Sequence, residues 1–478
     1  MAPIPARLVG RCLLAAALAS LLPGVLWAAH LPILGSTGGP RYEVVELFGF
    51  TTSLAIIALA WPELRRLRAA GAAELVPVVL PLLAALLFLT HVSEHSVRSP
   101  DYRDYERASQ AIVAGQDPYQ YGRYLYPPLP GQALAGAFGA LDRATRLAGK
   151  PQSPEVLWDG VFFLTQCAQY FLLLATWFLL YRLGQTLGFD RASAAALVTV
   201  LLVVSNPTFR LLKFNQVNLW VVDTLLLGTL WLRARPFAAG LVVALGAHIK
   251  LYPALLLAYW AALRRWAAVA GGVVGLALLA LATSGGGRDW TVWGRFVRFA
   301  PSFPKGGDFR DNGLHAVVRN LLRFGARIAD RNDPWLLTVT GRITAVLTLA
   351  VLAWFAWRFV RRERVVRSWP EDAGEQAATW RVCGHLADAV GLALLVAPIV
   401  WEHHYLLALP LVVFAAAVAG RERPWPVALG WFLMFALPTF DVFPLSWHRL
   451  AGLLLMLWVT GPERAHGPWS PPRLPLAT

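Results

Sequence analysis

The densest group of side chains suited to chemistry is Ser99-Pro100-Asp101-Tyr102-Arg103-Asp104-Tyr105-Glu106-Arg107-Ala108, followed by Ala114-Gly115-Gln116-Asp117-Pro118-Tyr119 and Tyr126-Pro127-Pro128. Proline favours the first turn of a helix, so the spacing predicts a helix from Pro100 to Ala114 with Gly115 as its stop. Asp101 then sits near the helix N-terminus, where partial positive charge and unsatisfied amides keep a carboxylate ionised. An ionised carboxylate among Tyr102, Tyr105 and Tyr119 has the attributes of a general base acting on a hydroxyl. The structural reading is an ordinary helix cap with no function. Asp104, one turn on, is the rival base, and spacing alone does not rank the two.

Lys250 lies in His248-Ile249-Lys250-Leu251-Tyr252-Pro253, inside a long apolar stretch. An unpaired ammonium at bilayer depth costs at least ~2.5 kcal/mol on insertion scales, so Lys250 is expected to face an anion or a water-filled cavity. Such a point charge suits phosphate, above all a phosphate gaining charge as it leaves. The structural alternative is a lysine snorkelling to an interface from a short helix.

Trp401-Glu402-His403-His404-Tyr405 interrupts two apolar runs and puts two imidazoles and a carboxylate near one bilayer surface. The letters suggest a metal site. Adjacent histidines on a helix, however, diverge by about 100°, and no further His or Asp has a metal-ligand spacing. His403 and His404 are therefore read as hydrogen-bonding partners of a substrate, and no metal or other cofactor is expected. Asn215-Gln216-Val217-Asn218 opens another apolar run, offering amides for sugar hydroxyls or simply helix caps.

The elements that must position these residues follow from composition. The chain of 478 residues is 57% hydrophobic and only 15% charged, with 21 Trp, and its mean hydropathy is +0.52. Such a chain has lipid as its main solvent, and its long Leu, Ala and Val runs lack period-two alternation, so the expected fold is all-α. Spans are expected near 8–28 (an uncleaved first span), 44–62, 73–92, 155–181, 192–207, 216–232, 266–284, 335–358, 384–400, 403–420, 424–441 and 446–460. Between Arg235 and Arg264 the apolar run is broken at Lys250 and Pro253 and reads as two short helices that meet there. Cys12, Cys167 and Cys383 have no paired spacing and read as small buried hydrophobes.

The formal net charge is +15. Its arginines flank apolar segments, where the positive-inside rule and anionic headgroups account for them, so nucleic acid is not an expected partner. The clusters Arg65-Arg66-Arg68, Arg182 with Arg191, Arg233-Arg235, Arg264-Arg265, Arg358 to Arg367 and Arg421-Arg423 are mutually consistent as cytoplasmic joints, with both termini on that side. Two long segments, 93–154 and 285–334, then lie on the opposite face, together with the joints around Asn215 and His403. In the second, Leu314, Val317, Val318, Leu321 and Leu322 share a face while Arg319, Arg323 and Arg327 recur every four residues, the pattern of a helix lying in the interface. No nucleotide-binding or hydrolase motif is present.

In order and spacing these residues resemble glycosyltransferase family 87, polytopic enzymes of the GT-C class that include bacterial polyprenol-phosphate-mannose-dependent alpha-mannosyltransferases. The likeness rests on Asp101-Tyr102-x-x-Tyr105 with Gly115-x-Asp117-Pro118-Tyr119 and Tyr126-Pro127-Pro128, then Asn215-Gln216-Val217-Asn218, Lys250-Leu251-Tyr252-Pro253 and Pro398-x-x-Trp401-x-His403-His404, spread over roughly residues 90 to 420. It implies one GT-C helical bundle over the whole chain, with about 12–14 transmembrane helices and two large non-cytoplasmic loops. It further implies a multi-pass protein of the cell (inner) membrane that moves a sugar, mannose by this likeness, from a polyprenyl-phosphate donor to a lipid or glycan acceptor on the non-cytoplasmic face, with inversion. Asp101 matches the catalytic base. Lys250 and His403 or His404 match positions expected to line the donor site, and Asn215, Gln216, Asn218 and Tyr126 are further candidates for binding the donor phosphate or sugar. The chain departs from the pattern in having Asn215 where glycine is common, and in two extra spans before the first outer loop.

Two other classes compete with the transferase. A transporter or lipid-linked sugar flippase would use Lys250, Asp223 and Asp388 as a coupling or substrate site. An accessory subunit would use its polar residues only to fix helix packing. The lack of an evident repeat and the large outer segments argue against the first, and the gathering of polar motifs on one expected side argues against the second.

Overall fold

The computed structural model describes residues 98–462 except 121, 303–309, 327, 329–332, 370–373, 420–422, 438 and 440–443. The expected spans 8–28, 44–62 and 73–92 lie outside the described residues, as do Lys305 and Arg327. Among the described residues every regular element is a helix. Five helices are long and apolar enough to cross a bilayer: Pro154–Thr186, Trp266–Thr283, Pro334–Arg367, Ala377–Val396 and Glu402–Ala419. Ser193–Val203 and Asn206–Lys213 form a further pair bent by 56°. Shorter apolar helices cover Asn218–Trp231, Pro236–Ile249, Pro424–Ala436 and Leu445–Val459. Only 11% of the most apolar window of Pro334–Arg367 is buried in protein, so lipid must cover the rest. The chain is an all-α polytopic membrane protein.

The described residues fall into two compact units, one built from residues 95–179 and 211–304, the other from 180–210 and 305 onward. In the first, Pro236–Ile249 packs along Trp266–Thr283 and Asn218–Trp231. Glycine permits that closeness. A Cβ on Gly240 would stand 1.9 Å from the Ala268 carbonyl oxygen, and one on Gly271 would stand 2.0 Å from that of Phe237. As the broken apolar run predicts, Pro236–Ile249 ends at Lys250, whose backbone is extended (φ −146°, ψ 141°), and Ala254–Ala262 resumes after Pro253. Beside this layer lies an aromatic core of Tyr102, Tyr105, Tyr119, Tyr124, Phe162 and Phe296.

In the second unit two arginines of the basic run Arg358 to Arg367 meet a carboxylate rather than headgroups. Arg358 and Arg362 lie one turn apart on Pro334–Arg367 and are buried. Both grip Asp388, Arg358 Nη2 at 2.6 Å from Oδ1 and Arg362 Nη2 at 3.0 Å from Oδ2. Arg358 also donates to the Leu457 carbonyl at 2.8 Å. Lys or Arg next to an apolar run looks alike in sequence whether it meets headgroups or a carboxylate on another helix. Here the carboxylate sits on Gly374–Val396 and takes the charge inward. Glu363, the next residue after Arg362, binds Arg381 and His385.

Leu314–Gly325 buries part of its arginine row. Its buried residues include Arg319 and Asn320, whereas Leu321 and Phe324 are 51% and 46% exposed. The helix thus presents apolar side chains outward, and Arg319 is not one of a solvated row.

Replacing Asp388 by Asn should leave two buried guanidiniums without their counter-charge and cost about 3–5 kcal/mol, read as a large drop in the melting temperature of detergent-purified protein. Gly240→Ala should cost about 1–3 kcal/mol by forcing two backbones apart. Gly341→Ala, where nothing lies within 4 Å of the added methyl, should be neutral in the same melting assay.

Candidate active site

Ser99 organises the site. Its Oγ accepts from the Tyr102 amide at 3.1 Å and caps the helix Pro100–Val113. The same hydroxyl donates to the Phe214 carbonyl at 2.7 Å. One side chain therefore supplies the cap and ties the helix start to the turn carrying Asn215 and Gln216. The helix ends at Val113 with Ala114 as its cap, and Gly115 follows at φ +70°. Ser99 rather than Asp101 is the cap, and Asp101 lies in the first turn of the helix.

Asn215 has φ 51°, in the left-handed region where glycine is favoured and asparagine tolerated. Its N–H reaches the Leu212 carbonyl at 3.2 Å, and the Gln216 N–H reaches that of Leu211 at 3.0 Å. That pairing is a Schellman motif closing the Asn206–Lys213 helix, with Asn215 at its left-handed position. The side chains do not cap the next helix, since its N-cap, Val217, makes no side-chain cap hydrogen bond. Asn215 is 2% exposed, and among the described residues neither atom of its amide has a hydrogen-bond partner. Asn218, fully buried, opens the Asn218–Trp231 helix.

Gln216 lies at the centre of the polar group. Its Nε2 donates to Asp101 Oδ2. Its Oε1 accepts from the hydroxyls of Tyr105 and Tyr126, each at 3.2 Å. The Tyr105 and Tyr126 rings are 4.7 Å apart. Burial, the largest cause, pushes both phenols well above their ordinary range, and the Asp101 charge adds to the shift, so both remain neutral donors. Tyr119 donates to the Tyr126 carbonyl at 3.0 Å, and Tyr124 to that of Pro127 at 3.0 Å, which fixes the Tyr126-Pro127-Pro128 turn. Asp117 is structural: its Oδ1 accepts from the Tyr119 amide at 3.0 Å.

Lys250 is 6% exposed. Its Nζ lies 5.2 Å from the centre of the Tyr126 ring and 5.9 Å from that of Tyr252, within cation–π range of both. The Asp101 carboxylate lies within its electrostatic reach. Asp101, Gln216, Tyr126 and Lys250 are thus brought together in one unit from segments well separated in sequence. Asp104 faces elsewhere, toward Arg107 at 3.4 Å and the field of Arg123. Burial raises its pKa, and those two arginines oppose the shift.

His403 and His404 belong to the other unit. They lie on a 3₁₀ turn, Glu402–Ala408, and their ring centres are 4.4 Å apart at 33°, not splayed as an α-helix would place them. His404 Nδ1 accepts from the Trp401 amide at 3.0 Å, so part of its role is local. Glu402 is buried against Arg210 at 3.2 Å. Sequence reasoning missed the work of Ser99, whose only signal was its place just before Pro100 (a serine ahead of a helix-opening proline).

Residues 160–370 match the family model described as Glycosyltransferase family 87. That region holds Asn215, Gln216, Asn218 and Lys250, while Asp101, His403 and His404 lie outside it. The chain is similar to the polyprenol-phosphate-mannose-dependent alpha-(1-2)-phosphatidylinositol mannoside mannosyltransferase of Mycolicibacterium smegmatis, 30% identical over 281 residues, covering 55% of this chain and 58% of that protein. It is also similar to the polyprenol-phosphate-mannose-dependent alpha-(1-2)-phosphatidylinositol pentamannoside mannosyltransferase of Mycobacterium tuberculosis, 24% identical over 299 residues, covering 57% and 61%. The chain therefore spans little more than half the length of the curated relatives it matches. No solved structure matches it. Residues 160–370 are thus similar to glycosyltransferase family 87, within a chain whose apolar helices mark a polytopic membrane protein.

Proposed function

We propose that the chain is a GT-C hexosyltransferase that moves mannose from a polyprenyl-phosphate donor to a hydroxyl of a lipid or glycan acceptor, on the non-cytoplasmic face of the cell membrane. The observation that carries this reading is the pairing of Asp101 with Lys250 in one polar group, a carboxylate and a cation gathered by Gln216 and Tyr126. Asp101 takes the proton of the acceptor hydroxyl. The acceptor oxygen bonds to the anomeric carbon from the side opposite the phosphate, and the bond from that carbon to the phosphate oxygen breaks with both electrons leaving on oxygen. The phosphodiester donor carries one negative charge and the departing polyprenyl phosphate two, so stabilisation is needed most as the bond breaks. Lys250 supplies it.

Displacement of this kind inverts the anomeric carbon. An alpha linkage, of the type named for the relatives, would then come from a beta-linked donor. Phosphatidylinositol mannoside, named in those relatives, is the first acceptor to try. The lipid carrier already holds an activated sugar, so the scheme draws on no nucleotide. Asn215 and Asn218 are assigned to sugar hydroxyls. The transporter reading loses support from Asp388, whose two oxygens are held by Arg358 and Arg362. Asp223 Oδ1 accepts from Thr176 at 2.6 Å, while among the described residues its buried Oδ2 has no hydrogen-bond partner.

With purified protein, labelled polyprenyl-phosphate-mannose and phosphatidylinositol mannoside, Asp101→Asn should lower kcat by about 10²–10⁴-fold, the usual range for a general base. Asp104→Asn should stay within a few-fold of wild type. The base assignment fails if Asp104→Asn abolishes transfer while Asp101→Asn retains it. Lys250→Ala should lower kcat more than it raises the donor KM, because the charge it meets grows in the transition state.

Asn215→Gly supplies a separate check. Glycine suits the φ of 51°, so the melting temperature should hold or rise slightly. The lost amide should instead raise the donor KM several-fold. An unchanged KM would remove Asn215 from the sugar contacts.

A further inference from the structure

The sequence places Gln216 among the donor-binding residues, yet its amide is occupied on both sides by protein. We infer that Gln216 is a positioning residue that orients the Asp101 base, and that Tyr105 and Tyr126 orient Gln216 in turn; this deepens the transferase reading and rests on Asp101 being its base. The argument is one of polarity. An amide has one accepting and one donating end, and an ionised carboxylate only accepts. Turned over, Gln216 would set Oε1 lone pairs against those of Asp101 Oδ2. In the arrangement present, Nε2 faces the carboxylate and Oε1 receives the hydroxyls of Tyr105 and Tyr126, each at 3.2 Å. Two neutral phenols therefore fix the amide, and the amide fixes the carboxylate.

The backbone beneath is pinned as well. Gln169 Nε2 donates to the Gln216 carbonyl at 3.4 Å, and Ser99 Oγ to that of Phe214 at 2.7 Å. Because Ser99 also starts the helix bearing Asp101, the carboxylate and its amide partner share one anchor. A neutral donor suits a base. A lysine or arginine hydrogen-bonded to Asp101 in that place would stabilise the charged carboxylate strongly and weaken its pull on a proton. The amide holds the group in line at a smaller loss of basicity. The carboxylate so held receives the acceptor proton while the new glycosidic bond forms and polyprenyl phosphate departs.

The test uses the full chain with labelled polyprenyl-phosphate-mannose and phosphatidylinositol mannoside, comparing Gln216→Leu, Gln216→Glu and Tyr105→Phe with Asp101→Asn. Loss of orientation should cost Gln216→Leu about tenfold to a hundredfold in kcat, with the donor KM within about twofold of wild type. In Gln216→Glu two carboxyls meet and share one proton, so the acid limb of kcat/KM should move up by about one pH unit or more. Tyr105→Phe should lower kcat in the same direction by a smaller factor. Infrared titration of the carboxyl band that Asp101→Asn removes should show the same upward shift in Gln216→Glu without any substrate. The inference is overturned if Gln216→Leu raises the donor KM and keeps kcat, which marks a substrate ligand, or if the carboxyl titration does not move. A wild-type rate in Asp101→Asn would instead sink the base assignment itself, independently of these arms.

Discussion

A charge kept in a mostly apolar protein needs a partner close enough to offset the water it has lost, and that constraint shapes each polar group in this chain. At Asp101 an uncharged amide donates and the Lys250 ammonium lies within electrostatic reach. At Asp388 the partner is a pair of guanidiniums.

The amide reaches Asp101 because of backbone geometry rather than side-chain reach alone. The left-handed conformation at Asn215 ends the Asn206–Lys213 helix and redirects the chain, so that Gln216 comes up beside the start of the Pro100–Val113 helix. Ser99 then bonds across the two segments. A β-branched residue at 215 would meet a steric penalty there, while glycine or asparagine does not.

Lys250 illustrates how a break in secondary structure is put to use. Pro253 prevents the Pro236–Ile249 helix from running on, and the extended residue at the break projects its ammonium toward the faces of Tyr126 and Tyr252. The aromatic faces partly replace water around the cation without neutralising it. A nearby phosphate would still meet a positive charge.

Hydropathy and spacing determined much of this by themselves: the all-α membrane class, the helix opening at Pro100, the break at Lys250, and the separate motifs holding Asp101, Gln216 and Lys250. These are legible because each depends on local chemistry, namely apolar run length, proline's fixed φ and missing N–H, and the cost of a lone charge in lipid. Only tertiary structure decided which partners those residues meet. It gave the cap to Ser99 and so separated Asp101 from Asp104, turned Gln216 to the carboxylate, drew Arg358 and Arg362 inward to Asp388, and set the His403 and His404 rings side by side on a 3₁₀ turn. Hydrogen bonds and ion pairs between distant segments depend on where helices pack, and the residues at either end carry no local mark of the partner they will find.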